Sequence, residues 1–334
     1  MVIIESYATA VVMCVITMLC WGSWANTQKL ATREWKFQLF YWDYAIGVFI
    51  LSLILAFTMG SSGQSGMSFM ENAAQAAPET IMLALLGGVI FNLSNILLVG
   101  AIDVAGLAVA FPIGIGLALV IGVVNNYIAS PVGNALLLFL GVASVAAAVI
   151  VDGFAYKRLL AHRQKTALKG IILSILAGVL MGWFYRFVAA SMSTDFVNIE
   201  RGKFTPYSAV VFFSLGLLVS NFLWNTIAMY KPFTGQPVRY SQYFTNGSLK
   251  LHLVGILGGI IWNIGMSFSI IASGQAGFAI SYGLGQGATM VAAFWGVFIW
   301  REFKAAPRGT NPMLALMFVL YVVGLVLIIV ARII

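Results

Sequence analysis

Ten apolar runs, each about twenty residues long and nearly free of charge, follow one another along the chain with short breaks between them. A helix must offer about 20 apolar residues to cross the hydrocarbon layer, where no water satisfies an unpaired backbone group. A chain patterned this way folds as an all-α polytopic membrane protein. Reading the runs between Gly, Pro and charge places the spans at 6–27, 39–59, 80–101, 104–128 and 134–153, then 169–192, 206–230, 251–272, 276–300 and 311–332. Spans three and four are parted only at Asp103, and spans eight and nine only around Gly274 and Gln275, so each pair reads as a tight helical hairpin. Eight spans with two very long helices is the alternative. Of the 334 residues 61% are hydrophobic and 8% charged, which leaves no soluble domain of ordinary size, since soluble domains carry roughly 25% charged residues.

The formal charge of +8 does not mark a nucleic-acid partner, because the basic residues lie in short loops rather than on one face. Their distribution sets orientation instead. Lys29, Arg33 and Lys36 follow span one; Lys157, Arg158, Arg163, Lys165 and Lys169 follow span five; Lys231, Arg239 and Lys250 follow span seven; Arg301, Lys304 and Arg308 follow span nine. The opposite side holds only Arg201, Lys203 and Arg332, with Arg186 inside span six. Both termini are therefore expected outside and the 154–168 loop in the cytoplasm, which makes Asn246-Gly247-Ser248 a cytoplasmic loop and not a glycan site. Cys14 and Cys20 have neither disulfide nor metal spacing and read as packing or lipid-facing residues. No cluster of metal ligands, catalytic triad or phosphate loop is present, so an enzyme is not expected.

A shift of 171 residues superimposes 85–118 on 256–289 without a gap, pairing LLGGVIFN with ILGGIIWN and AGLAVAFPIGIG with AGFAISYGLGQG. Each copy contains five spans, an odd number, so the second enters the membrane from the opposite side. The expected architecture is a 5+5 inverted repeat: 1–153, the connecting loop 154–168, and 169–334, in one membrane domain. Inverted repeats place a binding site near the midplane between the halves and permit alternating access.

Two features mark candidate site residues. Phe111-Pro112 with Gly114 and Gly116 in span four, and Tyr282-Gly283 with Gly285 and Gly287 in span nine, are interruptions at corresponding positions. Amides inside spans form the second set: Asn92 and Asn95 on one face of span three, Asn263 beside Trp262 in span eight, and Gln286. Each amide reads equally as glue between helices or as cavity lining. For coupling or gating, Asp43 is either a proton or cation site or an interfacial helix-start carboxylate; Arg186 either snorkels or binds an anionic group; Trp21 and Trp24 either gate the inner side or anchor the interface. Asp103 and Asp152 fall at span ends and are expected to face water.

Gly22-Ser23-Trp24, Tyr41-x-Asp43-Tyr44 and the stretch from Ala105-Gly106-Leu107 to Asn126-Tyr127 resemble the plant ureide permeases and bacterial glucose/ribose porters, within the drug/metabolite transporter superfamily. LeuGlyGlyIleIleTrp at 257–262 and Arg301-Glu302 are similar to the rhamnose:proton symporter. The resemblance implies proton- or sodium-coupled movement of sugars or nitrogen-rich heterocycles. The plant proteins carry a long central loop that 154–168 lacks, which favours a bacterial sugar carrier. The resulting expectation is a plasma-membrane secondary transporter, of the bacterial inner membrane, moving a small neutral solute such as a sugar with H+ or Na+ coupling and no bound cofactor. The alternatives are a ureide or nucleobase-like permease, a drug or metabolite exporter, and a non-transporting scaffold or sensor. A homodimer is compatible with this reading.

Overall fold

The computed structural model describes residues 1–31, 35–63, 65–159 and 168–334. Arg33, Arg163 and Lys165 of the charge pattern, and most of the 154–168 connection, lie outside them. Helices α1 (Tyr7–Ser23) and α2 (Ala25–Ala31) form the first span, with a break at Trp24. There follow α3 (Phe37–Phe57), the short α4 (Phe69–Gln75), α5 (Pro78–Ala105), α6 (Leu107–Ala129), α7 (Ala135–Leu159), α8 (Leu168–Ser191) and α9 (Pro206–Tyr230). After the short α10 (Tyr240–Thr245) come α11 (Leu249–Ala276), α12 (Phe278–Gly285), α13 (Ala288–Phe294) and α14 (Thr310–Val330). Ten of the resulting segments are long and apolar enough to cross a membrane, as the sequence predicts.

Local chemistry explains the boundaries. Ser6, Thr205 and Ser248 cap α1, α9 and α11 through their hydroxyls, and Pro78 and Pro206 sit in the first turn of α5 and α9, where no N–H is needed. The tight hairpins are real, but they turn later than the sequence places them. Asp103 and Gly274–Gln275 remain helical, and the chain reverses at Gly106 (φ 79°) and Gly277 (φ 82°). Only glycine reaches that conformation without strain, so each turn falls on the glycine rather than on the nearest charge. Pro112 likewise does not interrupt its span: α6 runs through it, whereas the ninth span breaks at Gln286 and Gly287. The two interruptions expected as a matched pair are thus unequal.

Helix contacts occur at matching positions of the two halves. The α5–α8 contact has its counterpart in α11–α1, α5–α9 in α11–α3, and α6–α8 in the packing of α12 and α13 on α1. The match extends to atoms: Gly88 backs onto the Phe213 and Leu217 backbone of α9, and Gly259 onto the Tyr44 and Val48 backbone of α3. Asn92 Nδ2 donates to Leu217 O at 3.2 Å, and Asn263 Nδ2 to Val48 O at 2.7 Å. Lipid supplies no hydrophobic force between helices, so close backbone approach at glycine and such amide bonds hold the bundle together. Both termini lie at one end, where Tyr7 OH donates to Ile329 O and Arg332 Nε to Gln275 O. The loops rich in Lys and Arg lie at the other, which we call the basic end; there Lys29 pairs with Glu302 and Lys36 donates to Gln236 O.

Candidate functional site

A cavity of about 340 Å³ enters from the basic end and reaches the middle of the bundle. Its floor is aromatic. Trp262, near the centre of α11, stacks on Trp21 (centroids 5.9 Å apart, planes at 13°) and packs against Phe91 at 4.4 Å. Trp21 Nε1 donates to Trp262 O at 3.1 Å, so the last turn of α1 is fastened to α11 with its indole facing the cavity. Phe111 and Phe184 extend the apolar wall from α6 and α8. Two amides interrupt it. Asn95 spends its Nδ2 on Tyr41 OH (3.1 Å), which leaves Oδ1 for the cavity, and the Gln286 side chain enters at the break between α12 and α13.

The mouth is built from α2 and the segment after α13. That segment ends in a π-helical turn, Trp295–Ile299, and a left-handed Arg301. Lys29 Nζ lies 2.7 Å from Glu302 Oε1 and 4.2 Å from the Trp300 ring centre. Trp300 Nε1 donates to Asn26 Oδ1 at 2.7 Å, and Tyr156 OH to Glu302 Oε2 at 2.8 Å. Trp24 also lines this region.

The opposite end is sealed. Tyr185 and Tyr282 are wholly buried below the floor and 5.0 Å apart. Tyr185 OH shares hydrogen bonds with the Ser269 and Ser281 hydroxyls (3.0 and 3.2 Å), and Tyr282 OH donates to Ala118 O and Met181 O at 3.2 Å.

Of the residues expected from sequence, Asn95, Phe111, Trp262, Gln286, Trp21 and Trp24 line the cavity. Asn92, Asn263, Pro112 and Tyr282 do not: the two asparagines bond neighbouring backbone and Tyr282 belongs to the seal. Asn263→Ala is expected to lower stability by about 1 kcal/mol and leave solute affinity unchanged. Gln286→Ala is expected to weaken binding by roughly tenfold, the equivalent of one hydrogen bond. Thermal denaturation run beside a tryptophan-fluorescence titration checks both.

Asp43 is 1% exposed and lies away from the cavity, against Gly255 of α11. Tyr243 OH donates to its Oδ1, His252 Nδ1 sits 2.9 Å from the same oxygen, and Trp35 Nε1 donates to Oδ2 at 3.3 Å. Burial and the adjacent carboxylate push the Tyr243 hydroxyl, on α10 outside the spans, well above the usual phenol range, which keeps it a donor. The cluster ties α10 to α3 and α11. Arg186 is half-buried on α8 and is not among the cavity residues.

Asp152 corrects the sequence reading most sharply. Far from facing water at a span end, it is 5% exposed and lines the cavity, because α7 continues to Leu159. Phe91 was also missed, although the 171-residue shift that pairs it with Trp262 could have found it.

The ureide permease family matches residues 40–165 and 150–331. The chain belongs to this family. Ureide permease 1 of Arabidopsis thaliana is 22% identical over 97% of both chains, and ureide permease 2 of the same plant 23% over 96% of both. A solved crystal structure aligns over 98% of this chain and 99% of its own with a TM-score of 0.60 at 17% identity, a likeness of fold alone. Family membership and ten apolar helices make this a multi-pass membrane protein of a permease family.

Proposed function

We propose that the protein carries a small, uncharged, nitrogen-rich solute of the ureide class across the membrane by alternating access. The observation that carries this reading is the one-sided cavity, open at the basic end and closed beneath Trp262 by the Tyr185–Tyr282 cluster. Its 340 Å³ falls at the small end of ligand sites, which suits a compact heterocycle. Flat aromatic faces take the plane of such a ring, while Asn95 Oδ1 and the Gln286 amide offer partners for its N–H and C=O edges. Full-length similarity to proteins named ureide permeases favours this class over the sugar suggested by the short central loop.

The matched helix contacts support a 5+5 inverted repeat, and with it a mechanism. In the alignment of the halves Phe111 corresponds to Tyr282. Phe111 lines the open cavity while Tyr282 lies in the seal. Exchange of those two environments would close the basic end and open the other, as expected of inverted repeats. The test is exchange of labelled allantoin by the purified protein in liposomes preloaded with unlabelled allantoin, with glucose and ribose as competitors. Allantoin exchange that the sugars do not inhibit is expected. Exchange of a sugar and not of allantoin would restore the sugar reading.

A further inference from the structure

The amide that Asn95 brings to the cavity is held from behind. Tyr41 of α3 is wholly buried and is not among the cavity residues, yet its hydroxyl accepts from Asn95 Nδ2 at 3.1 Å. The Tyr41 ring is itself wedged: it stacks on Tyr44 (centroids 5.1 Å apart, planes at 13°) and meets Phe37 at 5.0 Å. Tyr44 in turn lies against Trp24 at 4.9 Å and Trp262 at 6.2 Å, so the Tyr41 hydroxyl is fixed relative to the cavity floor.

Amides that serve only to join helices look different in this molecule. Asn92 and Asn263, which the 171-residue shift sets against each other, both donate to the backbone of a neighbouring helix, and neither lines the cavity. The same shift sets Met266 against Asn95. Gly259 meets Tyr44 O and Val48 N where Gly88 meets Phe213 O and Leu217 N, and counting back three residues sets Val210 against Tyr41. Val210 and Met266 are both buried, and neither carries an N–H or O–H on its side chain. A bond that merely ties helices together is equally useful at both places. The hydroxyl and the amide occur together only where the amide reaches the cavity.

An amide carries N–H on one side and C=O on the other in nearly the same shape, so a freely turning asparagine offers a solute either group and rejects neither. A fixed amide rejects a solute that lacks the complementary group, because its own is then left unpaired on binding. We propose that Tyr41 is a specificity-determining positioning residue: its hydroxyl occupies Asn95 Nδ2 and so turns Oδ1 alone toward the solute, which must present an N–H at that point. The proposal rests on the transport reading above and deepens it, since a ring nitrogen bearing hydrogen is accepted there and a methylated nitrogen is not.

The experiment is calorimetric titration of full-length wild type, Tyr41→Phe, Asn95→Ala and the double variant with allantoin, with hydantoin, which is its ring core, and with the two N-methylhydantoins. Tyr41→Phe keeps the stacked ring and loses only the hydroxyl. It is expected to weaken allantoin binding by about three- to tenfold and Asn95→Ala by about tenfold, up to one hydrogen bond, with the double variant no weaker than Asn95→Ala. A tyrosine with a merely structural role would add its own loss in the Asn95→Ala background. Wild type is expected to bind one of the methylhydantoins about tenfold more weakly than hydantoin, and Tyr41→Phe to lessen that preference. Losses that multiply in the double variant, or a preference that Tyr41→Phe leaves intact, overturn the proposal. Should Tyr41→Phe fail to fold, the methylated solutes decide on wild type and Asn95→Ala: methylation must cost wild type more than Asn95→Ala, and an equal cost overturns the proposal. Failure of wild type to bind allantoin sinks the transport reading and this proposal with it, whereas wild-type binding with multiplying losses overturns this proposal alone.

Discussion

Gly259→Leu is expected to yield no monodisperse protein after detergent extraction. A Cβ at this position would lie 2.8 Å from Val48 N and closer still to Tyr44 O, both backbone atoms of α3. Neither can move aside without displacing a whole helix. Inserting extra carbons into a packed interior costs about 1–3 kcal/mol where side chains can yield, and here a whole leucine side chain is inserted against backbone. Gly88 meets Phe213 O and Leu217 N of α9 in the same way, so Gly88→Leu is expected to fail equally. Gly116 is the control, because a Cβ there meets nothing within 4 Å. Gly116→Ala should extract and melt like wild type or slightly better, as alanine favours a helix over glycine. Size-exclusion profiles and melting temperatures of the three variants check this, and a Gly259→Leu protein that elutes and melts normally would refute the close-approach account.

Trp262→Ala is expected to abolish measurable solute binding, with a loss on the order of 30–100-fold. Removing one aromatic platform from under a planar ring costs about 1–3 kcal/mol, where 1.4 kcal/mol is a factor of ten. Trp262 also holds Trp21 and Phe91 in position by ring contacts at 5.9 and 4.4 Å, so its loss disorders the rest of the floor and places the effect at the upper part of that range. Trp262→Phe keeps a flat face and should retain most affinity. Calorimetric titration with allantoin measures both variants. Unchanged binding by Trp262→Ala would move the solute site away from the floor.

Much of this protein was legible from residue order because the bilayer imposes a one-dimensional rule. Ten stretches must each satisfy their backbone internally across a fixed thickness, so span number and approximate limits follow from hydropathy. Gly88 and Gly259, and Asn92 and Asn263, which the 171-residue shift sets against each other, make corresponding close approaches and amide bonds to a neighbouring helix. The candidate site was half legible. Asn95 and Asn92 lie three residues apart on one helix, yet one opens on the cavity and the other bonds Leu217 O, and no local pattern separates them. On the solute, the short central loop pointed to sugars, whereas the aromatic cavity and the full-length likeness to proteins named ureide permeases support the alternative proposed above.

Residue order sufficed for the helices and their number, since these depend on near-neighbour chemistry and on the hydrocarbon solvent. Tertiary packing alone decided which end of the bundle is open, which of the two aromatics Phe111 and Tyr282 meets the cavity, and that Asp152 stands on its wall. Those outcomes depend on where helices far apart in the chain come to rest against one another, and a buried charge or an open cleft exists only between them.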